Sequence, residues 1–414
     1  MNSLGPGFNR LWGASLTSNL ADGLLAAAAP LLAITLTKSP VLISLLSALV
    51  MLPWLFFAIP IGVIVDRVDR RFLLAGANSV RFLIAGILAI SVSTHTITIY
   101  YLFIAAFLIG ICEVFADTTA QSLIPQILEK SDLEKGNSRL QISETIVQGF
   151  IGTPISGFLY AAAIYLPFIA NSLGFLVAAI LAFSIPVKFL QDMRQEEVAK
   201  SKPDFMAEIR FGIHYLYNHK VLRRLVLTTA SVGFCYSMAT ATIVLFIIKE
   251  LHLKPALFGV VLTIQASGAI LGGLAAPKLS SRFGRSRVMG AAILISSVVL
   301  FLQGLTPNIY LFVFFATLGS FAISQWNILL MSTYQSVIPA NLFGRVHGTR
   351  RTLVWGMMPL GSLLGGFVAT TGLRTPLIAG GIVATLISLL SLRFVTTIGQ
   401  VAADGQVAAE SPGL

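Results

Sequence analysis

Charge is what this chain has least of. Asp, Glu, Lys and Arg make up 11% of its 414 residues, against about 25% in a soluble globular protein. So few charges cannot cover a surface that faces water all round, which excludes a soluble fold. Cysteine is scarce as well. Cys112 and Cys235 are the two, both inside apolar runs, so no disulfide framework is expected and both read as buried thiols. The five histidines (His95, His214, His219, His252 and His347) are scattered over loops and span ends, and no His-Glu-x-x-His occurs. No metal site and no cofactor are expected. No Gly-x-x-x-x-Gly-Lys-Ser/Thr loop is present, which excludes direct drive by ATP. No Ser/His/Asp grouping collects at one interface, so no enzyme is expected.

What the chain has instead is apolar residues, 56% of the total. They come in runs of about 20, the length that carries a helix across a hydrocarbon core. A membrane barrel would show weaker alternating segments. The pattern predicts an all-α membrane protein of twelve transmembrane helices in two six-helix bundles. The spans fall near 11–37, 41–65, 72–94, 97–124, 139–163 and 165–187, then 225–249, 256–279, 287–305, 308–336, 351–371 and 374–396. The run from Leu11 is long, carries Asp22 and lacks a cleavage pattern, so it reads as a span rather than a signal peptide. Four regions follow: a bundle over 1–187, a linker over 188–224, a bundle over 225–396 and a disordered tail over 397–414.

The net charge of +11 points to topology rather than to nucleic acid. With the N-terminus in the cytoplasm, the outer loops hold only Lys38, Lys249, Lys254 and Arg374, and Arg81 lies within the third span. Every other Lys and Arg falls on the inner side, as the positive-inside rule requires. Both termini are then cytoplasmic and the natural location is the cell (cytoplasmic) membrane. In the linker, Phe205, Ile209, Ile213 and Leu216 recur at helical spacing. They suit an amphipathic helix on the inner face or a solvated tether with some helix.

The two bundles repeat. Gln121-Ser122-Leu123-Ile124-Pro125 ends the fourth span and Gln335-Ser336-Val337-Ile338-Pro339 ends the tenth. A span rich in Gly and Pro follows each: Gly152-Thr153-Pro154-Ile155-Ser156-Gly157 in the first half, Pro359 through Gly366 in the second. Parallel repeats of this kind mark secondary transporters with the substrate path between the halves.

The loop after the second span reads Gly62-Val63-Ile64-Val65-Asp66-Arg67-Val68-Asp69-Arg70-Arg71. It resembles the signature loop of the major facilitator superfamily. A degenerate copy, Pro277 to Arg285, keeps two arginines and lacks the Gly and the Asp. Gly152, Pro154 and Gly157 resemble the superfamily's antiporter motif, although Pro154 does not directly follow Gly152. Asp22-Gly23 and the stretch from Pro125 through Asn137 to Arg139 resemble the macrolide-efflux and enterobactin-exporter branch. The resemblance spans the chain. It implies alternating access by rocking of two bundles, usually driven by a proton gradient. One feature departs from it: drug antiporters of the superfamily often carry an Arg in the fourth span, and residues 97–124 contain neither Arg nor Lys.

Carboxylates inside spans cost roughly 2.5–3.5 kcal/mol each at a helix centre and are functional by default. Four stand here: Asp22, Glu113, Asp117 and Glu144. Glu113 and Asp117 are one turn apart on one face, and two such acids in low dielectric are expected to share a proton near neutral pH. They suit proton coupling or contact with a cationic substrate. Asp117 and Glu144 equally suit pairing with Arg81 or Arg139, or capping. Asp66, with Gly62, Arg67, Arg70 and Arg71, is expected to gate the inner side, though topology alone accounts for the arginines. The second half has no acid inside a span. Gln265, Gln325, Trp326 and Asn327 are its candidates for a cavity lining or for interhelical hydrogen bonds. Gly152, Pro154 and Gly157 suit close packing and bending.

The expected function is a proton-coupled exporter of an amphipathic small molecule (a drug, siderophore or metabolite) by alternating access. The expected partners are that substrate, protons and the bilayer, with the chain a monomer. The alternatives are an importer or lipid carrier on the same fold, or a non-transporting membrane sensor. The longest polar stretch, 188–224, is too short to hold a sensor's soluble domain.

Overall fold

A computed structural model describes residues 4–65, 68–129, 132–186, 205–338 and 342–403. Among these residues the chain is helical throughout, with no strand. The first-half helices are α1 (Pro6–Leu36), α2 (Pro40–Val65), α3 (Arg70–Ser93), α4 (Ile99–Ile127), α5 (Leu133–Ser143), α6 (Thr153–Ala162) and α7 (Leu166–Phe183). Then come α8 (Phe205–Asn218), α9 (Lys220–Thr240), α10 (Phe258–Phe283), α11 (Arg285–Leu305), α12 (Ile309–Val337), α13 (Phe343–Val368) and α14 (Thr375–Ala403). Polar residues in the loops start several of them. Asp69 accepts the Arg71 amide at 2.9 Å ahead of α3, and Asn308 accepts the Leu311 amide at 3.0 Å ahead of α12, each satisfying a donor the helix itself leaves free.

Ten of these helices are long and apolar enough to cross a membrane. Two predicted spans fall short of that test for different reasons. The fifth is broken into α5, a π-helical segment Glu144–Gly152, and α6. The wider π turn ends where Pro154 opens α6, a position where a missing amide hydrogen costs nothing. The eleventh, α13, carries Arg345, Arg350 and Arg351 near its start and four glycines beyond them, which dilutes its hydropathy. Large side chains such as Leu274 (75% exposed) and Leu390 (85% exposed) point outward, a surface that water would not tolerate over such an area.

The chain divides into two compact units: Met1–Lys38, Leu49–Lys202 and Leu253–Thr263 form the first; Ser39–Ala48, Pro203–His252 and Ile264–Leu414 form the second. Each unit therefore includes the opening turns of one span that the sequence division assigns to the other half. In the first unit, α1 packs on α7, α3 on α7 and α3 on α4. Its core gathers Phe8, Leu11, Leu74, Leu123 and Ile124. In the second, α9 packs on α13 and α14, and α11 on α12 and α14, around Leu222, Met289, Leu330 and Tyr334.

Two boundaries differ from the sequence reading. Helix α14 continues to Ala403, so residues 397–403 are not a loose tail; the Thr396 and Thr397 hydroxyls bond back to the Arg393 carbonyl. The last residues, 404–414, lie outside the described ones. In the linker, α8 covers Phe205–Asn218 and packs on the second unit. Leu216 is 4% exposed within the second unit's core, and α8 packs on α13 and α9. The seventh span accordingly starts at Lys220, capped by His219, rather than at residue 225.

Candidate functional site

Asp22 lies midway along α1 and Arg81 midway along α3. Arg81 is wholly buried, with 0% exposure, and its guanidinium donates to the Asp22 carboxylate. A second nitrogen donates to the Ser18 hydroxyl at 2.9 Å. The guanidinium also stands 4.0 Å over the Phe175 ring, and Ala21, Ala85 and Ile109 pack around that ring. Such a pair holds its geometry because a lone charge left in that apolar shell would cost several kcal/mol.

Helix α7 fixes both partners. Asn171 donates to the Ala21 carbonyl at 2.6 Å, and Ser172 donates to the Phe82 carbonyl at 2.9 Å. Two adjacent residues thus grip the neighbours of Asp22 and Arg81. Glu113 on α4 is partly buried and lies within electrostatic reach of Asp22, Arg81, Asp117 and Glu144. Three helices therefore bring four predicted residues (Asp22, Arg81, Glu113 and Asp117) to one region of the first unit. Glu144 is exposed, at the first position of the π segment.

The fifth span sits directly on this region. A side chain on Gly152 would lie 2.8 Å from the Gly23 Cα and 2.9 Å from the Leu20 carbonyl, and one on Gly23 would run into the Gln148 backbone. Ser156 donates to the Leu24 carbonyl at 2.6 Å. Asp22 is thus followed by a residue at which α1 and the π segment leave no room for a side chain. Gly157 faces the opening turns of the eighth span, against the Ala256 backbone.

The second unit repeats this scaffold. Gly361 and Gly365 press on the Phe234 and Met238 backbones of α9, and Gly366 on Ser44. Ser237 bonds to the Ser362 hydroxyl at 2.6 Å. The acids are not repeated.

A family description for transmembrane secretion effectors, a branch of the major facilitator superfamily, matches residues 5–410. The chain belongs to this family. It is similar to macrolide efflux protein A of Streptococcus pyogenes, 24% identical over 87% of this chain and 89% of the relative. It is also similar to the multidrug efflux pump Tap of Mycobacterium bovis, 22% identical over 94% of this chain and 93% of the relative. The fold resembles that of a bacterial homologue of the lysosomal transporter Spinster, with a TM-score of 0.70 and 14% identity over 98% of each chain. The chain is a multi-pass membrane transporter of the major facilitator type, and its relatives and structural neighbours are transporters.

The remaining candidate residues of this secretion-effector chain scatter. Asp66 and Arg67 of the signature loop lie outside the described residues. Gly62 is in α2, and a side chain there would meet nothing within 4 Å. Arg70 is 9% exposed. Arg71 donates to the Ile185 carbonyl at 3.3 Å and lies over Phe72 at 4.4 Å. Asp69, which the motif does not single out, is the acid that caps α3.

In the second unit, Gln265 lies near the Tyr236 hydroxyl. Gln325 is buried with its amide nitrogen unpartnered. Asn327 is exposed. Trp326 is 7% exposed and belongs to the apolar core. Its apolar surface and its position one turn before Leu330 place it on the inward stripe of α12.

Sequence reasoning missed Ser18, Asn78 and Phe175. The signal was available: Ser18 precedes Asp22 by four residues and Asn78 precedes Arg81 by three, which puts each pair on one helix face.

Proposed function

We propose that this chain is a proton-coupled exporter of an amphipathic small molecule. It works by alternating access across a bacterial cytoplasmic membrane, with twelve spans and both termini inside. The single observation that carries this reading is the buried Asp22–Arg81 pair with Glu113 beside it.

A proton arriving at Asp22 neutralises the carboxylate and removes the main partner of a wholly buried guanidinium. Breaking one side of such a pair costs about 3–5 kcal/mol, so Arg81 must find another anion. Glu113 supplies it. The proton therefore moves an ion pair from α1–α3 to α3–α4. Because Gly23 lies against Gln148 and Gly152, a shift at Asp22 is felt by the fifth span, whose π segment is the part able to change register. Glu113 and Asp117 are also suited to a cationic group on the substrate. The efflux names of the relatives support the outward direction.

The test is uptake into energised inverted vesicles of a macrolide, ethidium and a carboxylate siderophore, with and without a protonophore. Protonophore-sensitive accumulation of at least one compound, lost in Glu113→Gln and Asp22→Asn, supports the reading. Accumulation untouched by the protonophore would sink proton coupling; native-like transport by both variants would remove these acids from it.

A further inference from the structure

On the side of the ion pair nearer the N-terminus of α1, a small polar pocket, partly open to solvent, runs between α1, α3 and α4. It sits one turn below the pair on all three helices. Ser18 precedes Asp22 on α1, Asn78 precedes Arg81 on α3, and Asp117 follows Glu113 on α4. Its half-buried lip carries Ser15, Asn19 and Asp117. Its far wall is α3, where Asn78 is 1% exposed.

The hydrogen-bonding pattern gives the pocket a direction. Asn78 spends its amide N–H on the Leu74 carbonyl at 3.0 Å, and its buried side-chain oxygen has no partner. Asn19 likewise spends an amide N–H on the Ser15 hydroxyl at 3.1 Å. Both carboxamides therefore present oxygens, and an unpartnered acceptor at the end of a polar recess is a place for water. Ser18 stands between this recess and the pair: it lines the pocket, accepts from Arg81 and lies beside the Asp22 carboxylate.

We propose that this pocket holds water and that Ser18 relays protons from it to Asp22. The inference rests on the coupling reading above and names the route that reading needs. The step balances without a further reactant. A hydronium in the pocket gives a proton to the free lone pair of the Ser18 Oγ as the Ser18 O–H proton passes to the Asp22 carboxylate. Water, an intact serine and a carboxylic acid remain. The charged groups around this centre are Arg81 on α3, which acts on Asp22 directly, and Glu113 on α4, which is itself acted on by Asp117 and by Glu144 at the head of the π segment. The serine is a positioning and relay residue; Asp22 is the acceptor.

The test is time-resolved infrared spectroscopy of the full chain in lipid nanodiscs after a downward pH jump. The signal followed is the carboxylic-acid band that is absent from Asp22→Asn. Ser18→Ala is expected to slow that band at least tenfold, with Ser18→Thr within twofold of native. Asn78→Leu, which fills the recess and leaves Ser18 in place, is expected to slow it similarly. In a chain with Cys112 and Cys235 replaced by serine, Ser15→Cys should react with a methanethiosulfonate-ethylammonium reagent, and Asn78→Leu should cut that rate at least tenfold. A band that rises at the native rate in both Ser18→Ala and Asn78→Leu overturns the relay alone. A native protein with no Asp22-dependent band overturns the coupling reading as well. An unreactive Ser15→Cys overturns the wet pocket.

Discussion

The two units of this transporter share a frame and differ in what the frame holds. In the first, Gly152 lets the fifth span press on α1 beside Asp22; in the second, Gly361 lets the eleventh press on α9 at Phe234. The serine contacts repeat too, Ser156 to Leu24 in one unit and Ser237 to Ser362 in the other. Where the first unit puts a buried acid–arginine pair, the second puts arginine against rings and carbonyls. Arg350 lies 4.3 Å over the Tyr334 ring, and Arg285 donates to the Leu329 carbonyl at 3.0 Å. Close backbone packing is needed wherever two helices cross tightly. In the coupling proposed above, a titratable pair is needed once, where the proton acts. The close packing is present in both units and the buried pair in only one.

The largest effect should come from breaking the pair unevenly. Arg81→Leu leaves Asp22 buried and uncompensated and is expected to cost about 3–5 kcal/mol. Asp22→Leu combined with Arg81→Leu should recover most of that stability while transport stays absent. Thermal melting in detergent alongside vesicle transport checks both halves of the statement. A double variant as unstable as the single one would mean that the pair packs rather than switches.

Next come the glycines, where the units should behave alike. Gly152→Ala and Gly361→Ala each push a methyl into a neighbouring backbone and are expected to cost about 1–3 kcal/mol. Comparable losses of melting temperature would sharpen the shared-frame account; a loss in one unit alone would break it.

Much of this division was legible in the amino-acid sequence, and the reason is physical. Membrane spans must be apolar over a fixed length, so α1 through α4 can be read from composition. Acids in spans are expensive, so Asp22 and Glu113 stand out. Pairing is different. The sequence offered Asp117 and Glu144 as partners for Arg81, yet Arg81 takes Asp22, 59 positions away. That choice depends on α7 clamping α1 and α3 together through Asn171 and Ser172, which no local pattern encodes. The π segment was illegible for a related reason: a change of register leaves composition untouched. The burial of Trp326 was not legible either, because an aromatic beside two amides suits a cavity wall and a core stripe equally well.

A smaller effect separates structural from coupling charges. Arg374 bonds Glu250 at 2.7 Å and also donates to the Gly304 and Thr306 carbonyls. Both side chains of the ion pair are about one-third exposed, so the pair itself is worth at most about 1 kcal/mol. Arg374→Gln should lower the melting temperature slightly and leave protonophore-sensitive transport intact. Lost transport with an unchanged melting temperature would place a coupling charge in the second unit.

The smallest effect is a pH dependence of that unit's stability. His219 caps α9 by accepting the Leu222 amide through Nδ1, and burial pushes its pKa below the usual 6.5. The unfolded chain therefore binds a proton that the folded chain resists. Stability is full above that ordinary value and falls as the pH drops through it toward the lower folded value. His219→Asn, a cap that does not titrate, should flatten this acid loss by about 1 kcal/mol, the ordinary worth of a cap. Parallel acid melts of native and variant would contradict it.

The most direct test of the asymmetry between the units is proton release on substrate binding. It would be followed with a pH dye in weakly buffered detergent solution, using a compound that the vesicle panel identifies as transported. The native protein should release protons when the compound is added. Asp22→Asn and Glu113→Gln should each reduce that release at least several-fold, while Arg374→Gln releases as the native protein does. Native-like release from both acid variants would contradict the claim that the first unit carries the coupling chemistry.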